Sequence, residues 1–351
     1  MIPLAVIGGG QIGLRHVEVA LASPHFELVG IVEPSETQRK ALIAKGLPAV
    51  AALDDLAAPP VAAVVATPTP AHHASASEAL DQGLALIVEK PLTATPDEGR
   101  ALIAKAATKA LPLYCGHHRR CHPFSLAARS ALPTLGPLVG LQLLWSLRKH
   151  DTYYDVAWRR APGAGPLMTN LSHEIDLLRF LAGEITEVTA LTANAARGFA
   201  IEDTAALAFR MASGALASVL ISDAGASPWA FEAATGENPD LAASGEDYLR
   251  AIGTKGALAF PSLTRWTNED GKEIEWRRAL EKFNTPEAAK IDPLLAQINR
   301  FATVLNDGED DVLCTAEDGL AATEWTLATA LSAQARHPLT RADVPGNYRG
   351  V

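Results

Sequence analysis

The sequence predicts an α/β protein in two parts: an N-terminal doubly wound parallel sheet, then an α+β domain on an open, largely antiparallel sheet. Three observations carry that prediction. Short aliphatic runs alternate with helical segments at βαβ spacing from Pro3 to about Cys115. A glycine-rich loop, Gly8-Gly9-Gly10-Gln11-Ile12-Gly13, joins the first run to the first helical segment. After about His122 the strands lengthen and alternate apolar with polar residues, which sets domains at 1–122 and 123–351, the closing helices being free to pack back on the first domain.

Five strands are expected in the first domain: Leu4–Ile7, Leu28–Val32, Val61–Ala66, Leu84–Val88 and Leu111–Cys115. Their unbroken aliphatic character fits strands covered on both faces, as in a parallel sheet. Ser35-Glu36-Thr37-Gln38 and Thr95-Pro96-Asp97-Glu98 read as capping boxes that open helices, Pro96 standing at a first helical position. In the second domain Val139–Leu147, Glu187–Ala193, Thr204–Arg210 and Ala215–Ser222 read as antiparallel strands. Ser213-Gly214 and Asp270-Gly271 have hairpin-turn chemistry. Helices over Leu294–Leu305 and Ala316–Ala335 close the chain.

Composition narrows the function. With 351 residues, the chain suits two domains of roughly 100 to 200 residues each. Hydrophobic residues at 48% and charged residues at 20% describe an ordinary folded protein. A net charge of −10 argues against a general nucleic-acid binder. Cys115, Cys121 and Cys314 form no even framework and no Cys-x-x-Cys pair, which fits a reducing compartment. The first strand begins too early for a signal peptide, and no apolar stretch reaches the roughly 18 residues of a membrane span, so a cytoplasmic protein is expected. The run from Cys115 to Pro123, rich in His and Arg, matches no standard zinc spacing, and no metal is expected.

The loop matches G-x-G-x-x-G between a strand and a helix, the context that makes the pattern specific for a dinucleotide. Gly8, Gly10, Gln11, Ile12 and Gly13 are its cofactor-side residues. Glu33, 20 residues after Gly13 at the end of the second strand, is placed to accept from the adenosine ribose hydroxyls. That favours NAD, while Arg39 and Lys40 keep NADP open as the less favoured alternative. Lys90, in Glu89-Lys90-Pro91, ends an aliphatic strand where open α/β sheets bind ligands, and is a candidate for proton handling or substrate orientation. A second stretch, Gly163 to Asp176, feeds a Gly/Pro-rich loop into a helix on which His173 and Asp176 share a face. A histidine there has the ordinary pKa of a base for a hydroxyl proton. Asp176 is placed to hold the imidazole or grip a substrate hydroxyl.

Taken together, Gly8-x-Gly10-x-x-Gly13, Glu89-Lys90-Pro91 and the loop to His173-x-x-Asp176 resemble the glucose–fructose oxidoreductase / inositol dehydrogenase / MocA family over nearly the whole chain. The resemblance implies a Rossmann domain, a second domain on an open mixed or antiparallel sheet, a nicotinamide cofactor between them, and homodimers or homotetramers packed through that sheet. It implies that Lys90 is the catalytic lysine, His173 the proton-transferring histidine and Asp176 a substrate-binding aspartate. Thr67 and His72 resemble the loop flanking the nicotinamide, and Glu89 joins Lys90 among the cofactor contacts. Inositol dehydrogenases commonly carry an aspartate four residues before the histidine, where this chain has Thr169 beside Asn170. Both are counted as substrate contacts, with Arg120, Tyr153 and Arg159. Arginines there suit an acidic sugar or hydroxy acid, and aromatic faces suit a sugar ring. The expected activity is NAD(H)-dependent dehydrogenation of a secondary alcohol in a polyol, sugar or sugar acid. The alternatives are a non-catalytic dinucleotide sensor or scaffold, and an NAD-dependent lyase or hydrolase that oxidises transiently.

Overall fold

Val64, Val65, Leu86 and Val88 are fully buried, as strands covered on both faces require. The computed structural model describes residues 1–238, 240–268, 274–285, 291–306 and 308–350. Its chain divides into two units, Met1–Cys121 with Ile291–Thr323, and His122–Lys290 with Glu324–Val351.

The first unit runs β1 (Ile2–Ile7), α1 (Gln11–Ala22), β2 (Phe26–Val32), α2 (Glu36–Ala44), β3 (Ala49–Val50), β4 (Ala62–Val65), α3 (His72–Asp81), β5 (Ala85–Val88), α4 (Pro96–Thr108) and β6 (Leu113–Cys115). All neighbours in the sheet, ordered β3-β2-β1-β4-β5-β6, are parallel. The order reverses between β1 and β4, the switch point at which such sheets take ligands. Val32, Ile7, Val65 and Val88 lie side by side as the last residues of four adjacent strands. Whatever follows them in sequence therefore emerges along one edge.

Two local expectations change in detail. Ser35 Oγ accepts from the Gln38 N–H, but the Gln38 side chain donates to the Gly9 carbonyl at 3.0 Å and closes no reciprocal box. Thr95 Oγ1 accepts from the Glu98 N–H, while Glu98 reaches past the cap to the Ala94 N–H at 3.2 Å. The strand β3 was not expected, because two residues carry no periodicity; Val50 and Pro48 earn it by accepting from Glu33 and Ile31 through their carbonyls.

The second unit runs α5 (Pro123–Ala131), β7 (Leu138–Ser146), α6 (Pro166–Thr169), α7 (Leu171–Ala182), β8 (Ile185–Ala193), β9 (Thr204–Met211), β10 (Leu216–Ser222), α8 (Phe231–Thr235), β11 (Leu249–Gly253), β12 (Gly256–Phe260), β13 (Arg265–Thr267) and β14 (Glu281–Phe283). Its sheet is ordered β14-β13-β12-β11-β7-β10-β9-β8. The β7–β10 pair is parallel and the rest are antiparallel, so the sheet is mixed but largely antiparallel. Ser213-Gly214 does turn the β9–β10 hairpin, with Gly214 at φ 90°, a left-handed conformation that favours glycine. Asp270-Gly271 lies outside the described residues.

The closing helices are α9 (Pro293–Leu305) and α10 (Ala316–Ala335). The first of them joins the first unit: Asp292 caps it, Ser23 Oγ donates to Asn299 at 2.7 Å, and Phe301 stacks on Phe26. The three cysteines are buried. Among the described residues no helix is long and apolar enough to cross a membrane, and no cluster of His, Cys, Asp or Glu is arranged to hold a metal ion.

Candidate functional site

Along the carboxyl edge of the first sheet stand Glu33 after β2, Gly8 after β1, Thr67 beyond β4 and Lys90 beyond β5, in that spatial order. The turn after β1 admits only glycine at two points. Gly8 has φ 107°, and a Cβ on it would lie 2.6 Å from the Ala66 carbonyl oxygen. A Cβ on Gly13 would lie 2.0 Å from the Gly8 carbonyl oxygen, which seats α1 against the turn. Gly10 differs, since a Cβ there would meet nothing within 4 Å. It caps α1 without a side chain, and no acid occupies the first turn. The first amides of a helix have no partner within it. With Gly10, Gln11 and Ile12 exposed at the tip, the helix start is open to an anion, and a pyrophosphate fits that space.

Glu33 is held by the loop it serves. Its Oε2 accepts from the Gly9 N–H at 3.0 Å and its Oε1 from the Ser35 N–H at 2.9 Å. Arg39 donates to the carbonyls of Glu33 and Pro34 at 2.8 and 3.0 Å, and Lys40 pairs with Glu36 on the exposed face of α2.

Further along the edge, the Thr67 hydroxyl is buried without a hydrogen-bond partner among the described residues. His72, 1% exposed, places Nε2 2.8 Å from the Thr67 carbonyl and Nδ1 2.8 Å from the Pro91 carbonyl. Both ring nitrogens thus face backbone oxygens, and the ring ties the turn after β4 to the turn after β5. Glu89 is also turned inward, its Oε1 2.7 Å from His16 Nε2 and its Oε2 accepting from the Lys90 N–H at 3.1 Å. Burial opposes its ionisation, but the His16 hydrogen bond and charge interactions with His16, His118 and Lys90 hold its pKa down to about 2. Glu89 is thereby a buried carboxylate supporting the backbone of Lys90. Arg120, 5% exposed, donates to Asp318 at 2.8 Å.

In the second unit the Gly163–Gly165 loop leads into α6, and Asn170 breaks the helix before α7 begins. Residues Leu171 to Leu178 are buried without exception, so the first two turns of α7 are enclosed on all sides and not only along the expected Leu177, Leu178 and Leu181 face. His173 and Asp176 are 8% and 1% exposed. The Thr169 hydroxyl lies 2.8 Å from Asn170 Oδ1 and 3.0 Å from the Gly165 carbonyl. Tyr153 carries the Arg159 guanidinium 4.0 Å from its ring centroid, and Arg159 donates to the Tyr153 carbonyl at 2.9 Å.

Three charged residues beyond the sequence candidates belong to this group. Lys149 Nζ lies 3.3 Å from Asn170 Oδ1, 3.5 Å from Thr169 Oγ1 and 3.4 Å from Asp223 Oδ2. Asp223, 1% exposed, also accepts from the Tyr154 hydroxyl; burial, and then this bond, push the Tyr154 pKa up. Glu174, fully buried, accepts from the Tyr248 hydroxyl at 3.1 Å. Lys149 sits in a crowded basic segment, so its charge was visible in sequence but its partners, about twenty residues and more away, were not.

Residues 2–117 match the model of an oxidoreductase family with an NAD-binding Rossmann fold, and residues 133–259 match the GFO/IDH/MocA C-terminal domain. The rhizopine catabolism protein MocA of Rhizobium meliloti is 27% identical over 52% of this chain and 57% of its own length. The inositol 2-dehydrogenase of Streptomyces avermitilis is 30% identical over 63% of this chain and 66% of its own length. The solved UDP-N-acetylglucosamine 3-dehydrogenase GnnA from Acidithiobacillus ferrooxidans aligns at a TM-score of 0.75 and 22% identity, covering 95% of this chain and 98% of that one. An oxidoreductase from Agrobacterium radiobacter in complex with NAD+, L-tartaric acid and magnesium aligns at 0.77 and 15% identity, covering 97% and 98%. These structural likenesses show the fold. For four of the curated relatives, MocA among them, the chain spans between 53% and 58% of their length.

Proposed function

The chain belongs to the Gfo/Idh/MocA oxidoreductase family, and on that premise we propose that it is an NAD(H)-dependent dehydrogenase acting reversibly on a secondary alcohol of a polyol, sugar or sugar acid. The observation that carries the reading is the alignment of Glu33, Gly8, Thr67 and Lys90 along the carboxyl ends of four adjacent strands. Such an edge offers a ribose acceptor, a pyrophosphate cradle and a cation in the order in which a dinucleotide extends.

Gly8, Gly10, Gln11, Ile12 and Gly13 would hold the pyrophosphate, with Glu33 on the adenosine ribose. The Glu33 carboxylate, already fixed by two backbone amides, favours ribose hydroxyls over a 2′-phosphate, which supports NAD. Bound NAD supplies the hydride acceptor. Lys90 hydrogen-bonds the reacting oxygen and stabilises the charge that grows there. His173 takes the hydroxyl proton on its imidazole during oxidation and returns it during reduction. Asp176, Asn170 and Thr169 orient the substrate hydroxyls, Tyr153 and Arg159 cover a ring or a charged end, Arg120 is a further proposed substrate contact, and Thr67, His72 and Glu89 are proposed cofactor contacts. The open face of the second sheet carries Leu191, Leu216, Leu220 and Ile252, all exposed, which supports self-association as a dimer or tetramer.

The test is a screen of polyols, neutral sugars and sugar acids with NAD, read by NADH formation. Turnover of at least one class is expected. Tight NADH binding without turnover of any would overturn the dehydrogenase reading in favour of a sensor.

A further inference from the structure

Glu202 stands at the entry to β9, where the chain is pinned on both sides: the Asp203 N–H donates to the Ala193 carbonyl at 2.9 Å, and the Asp223 N–H donates to the Asp203 carbonyl at 3.1 Å. From that fixed backbone Glu202 Oε1 accepts from the Leu167 N–H at 3.0 Å, in the single turn of α6. The same carboxyl lies over Gly165. A Cβ on Gly165 would run into both of its oxygens, whereas Gly165 has φ −72° and ψ 173°, a conformation that any residue adopts. Glycine is therefore required here by the close approach of Glu202 and not by the backbone.

The Gly165 carbonyl accepts from the Thr169 hydroxyl at 3.0 Å and from the Met168 and Thr169 N–H groups at 3.1 Å. The Thr169 hydroxyl lies 2.8 Å from Asn170 Oδ1, and the Asn170 carbonyl accepts from the His173 N–H at 3.2 Å. A chain of contacts thus runs from Glu202 through Gly165, Thr169 and Asn170 to His173. A helix of one turn has little stability of its own. Packing does not hold α6 on every side either, because Leu167 and Met168 border a cavity of about 90 Å³ shared with Ala330, Gln334 and Gly350. The tie to Glu202 is what fixes it.

That tie costs stability. Burial, and then the charges of Asp223 and Asp203, push the Glu202 pKa up, against two backbone N–H groups that lower it. Once the pH rises above the ordinary value of 4.5, ionising this carboxyl therefore weakens the fold.

We infer that Glu202 is a positioning residue: it seats the Gly163–Gly165 turn, and through that turn sets the Thr169–Asn170 pair and the imidazole of His173. Its effect on turnover rests on the dehydrogenase reading above, whereas its effect on His173 does not.

Nuclear magnetic resonance of the 15N-histidine-labelled protein with NADH present tests it, the His173 ring signals being identified by their loss in His173→Gln. Glu202→Ala is expected to shift or broaden those signals while His16, His72 and His337 stay in place. Glu202→Gln, which keeps the acceptor and removes the charge, is expected to retain the wild-type His173 signals with a melting temperature held or raised. Gly165→Ala displaces the carboxyl and is expected to copy Glu202→Ala, and the double variant to do no more than Glu202→Ala alone. With whichever alcohol the screen returns, Glu202→Ala is expected to lower kcat about tenfold or more, NADH affinity staying within about twofold. His173 signals unmoved in Glu202→Ala, or all histidine signals moving together, overturn the inference. A wild-type kcat in Glu202→Ala likewise overturns it and leaves the dehydrogenase standing. A His173 shift confined as expected, with no NADH formed from any alcohol, removes the dehydrogenase and leaves the positioning role.

Discussion

His16 Nε2 lies 2.7 Å from Glu89 Oε1, with the two residues 2% and 5% exposed. One sits on the helix that leaves the glycine loop and the other precedes Lys90, so a single buried bond links the proposed pyrophosphate cradle to the proposed catalytic lysine. Within Glu89-Lys90-Pro91, Glu89 thereby fixes the backbone from within, while Lys90 stands beyond β5 at the carboxyl edge of the sheet.

Replacing Glu89 with Gln is expected to destabilise the protein at neutral pH. The folded carboxyl, at about 2, lies below its ordinary value of 4.5, so its stabilisation is present above 4.5 and is lost as the pH falls towards 2. The shift corresponds to something on the order of 3 kcal/mol. Urea unfolding of wild type and Glu89→Gln across pH 7 to about 2 checks this: the gap is expected to be widest near neutrality and to close on acidification. A constant gap would separate Glu89 from its charge.

Gly10→Ala and Gly8→Ala are expected to behave oppositely. Gly10 has φ −73° and open space above it, so alanine should leave stability within about 0.5 kcal/mol while intruding on the pyrophosphate path, with NADH affinity falling about tenfold or more. Gly8→Ala meets the Ala66 carbonyl in a left-handed backbone and is expected to lower the melting temperature as well. Fluorescence titration of NADH with parallel thermal melts distinguishes the two.

Glu33→Ala is expected to raise the ratio of NADP to NAD kcat/KM by about tenfold or more, because it removes the carboxylate that opposes a 2′-phosphate and leaves Arg39, whose guanidinium lies at the carbonyls of residue 33 and Pro34, to attract one. Steady-state kinetics with both cofactors measures it. An unchanged ratio would remove Glu33 from cofactor selection.

What was legible in the sequence was local. Gly8 and Gly13 were readable because the conformation and close contact that demand glycine arise within a few residues of the loop. The position of Lys90 just beyond β5 was readable because a cation closes an aliphatic strand. The doubly wound sheet followed from the same spacing, whereas the mixed character of the second sheet was implied only by the family resemblance, since the parallel β7–β10 pair joins strands about seventy residues apart. His72 was readable as following a strand end, and only the folded chain brings the Pro91 carbonyl to its second nitrogen. Lys149 shares its segment with Arg148, Arg159 and Arg160, and only the fold brings Asp223 beside it.

The measurement that bears most directly on the proposed chemistry is NADH formation by wild type and Lys90→Met, using whichever alcohol the substrate screen returns, with the NADH dissociation constant determined for both. Loss of a donor to the reacting oxygen should lower kcat by about 10²–10³-fold while NADH affinity stays within about twofold. Turnover by Lys90→Met at the wild-type rate would contradict the assignment of Lys90 to the reacting oxygen.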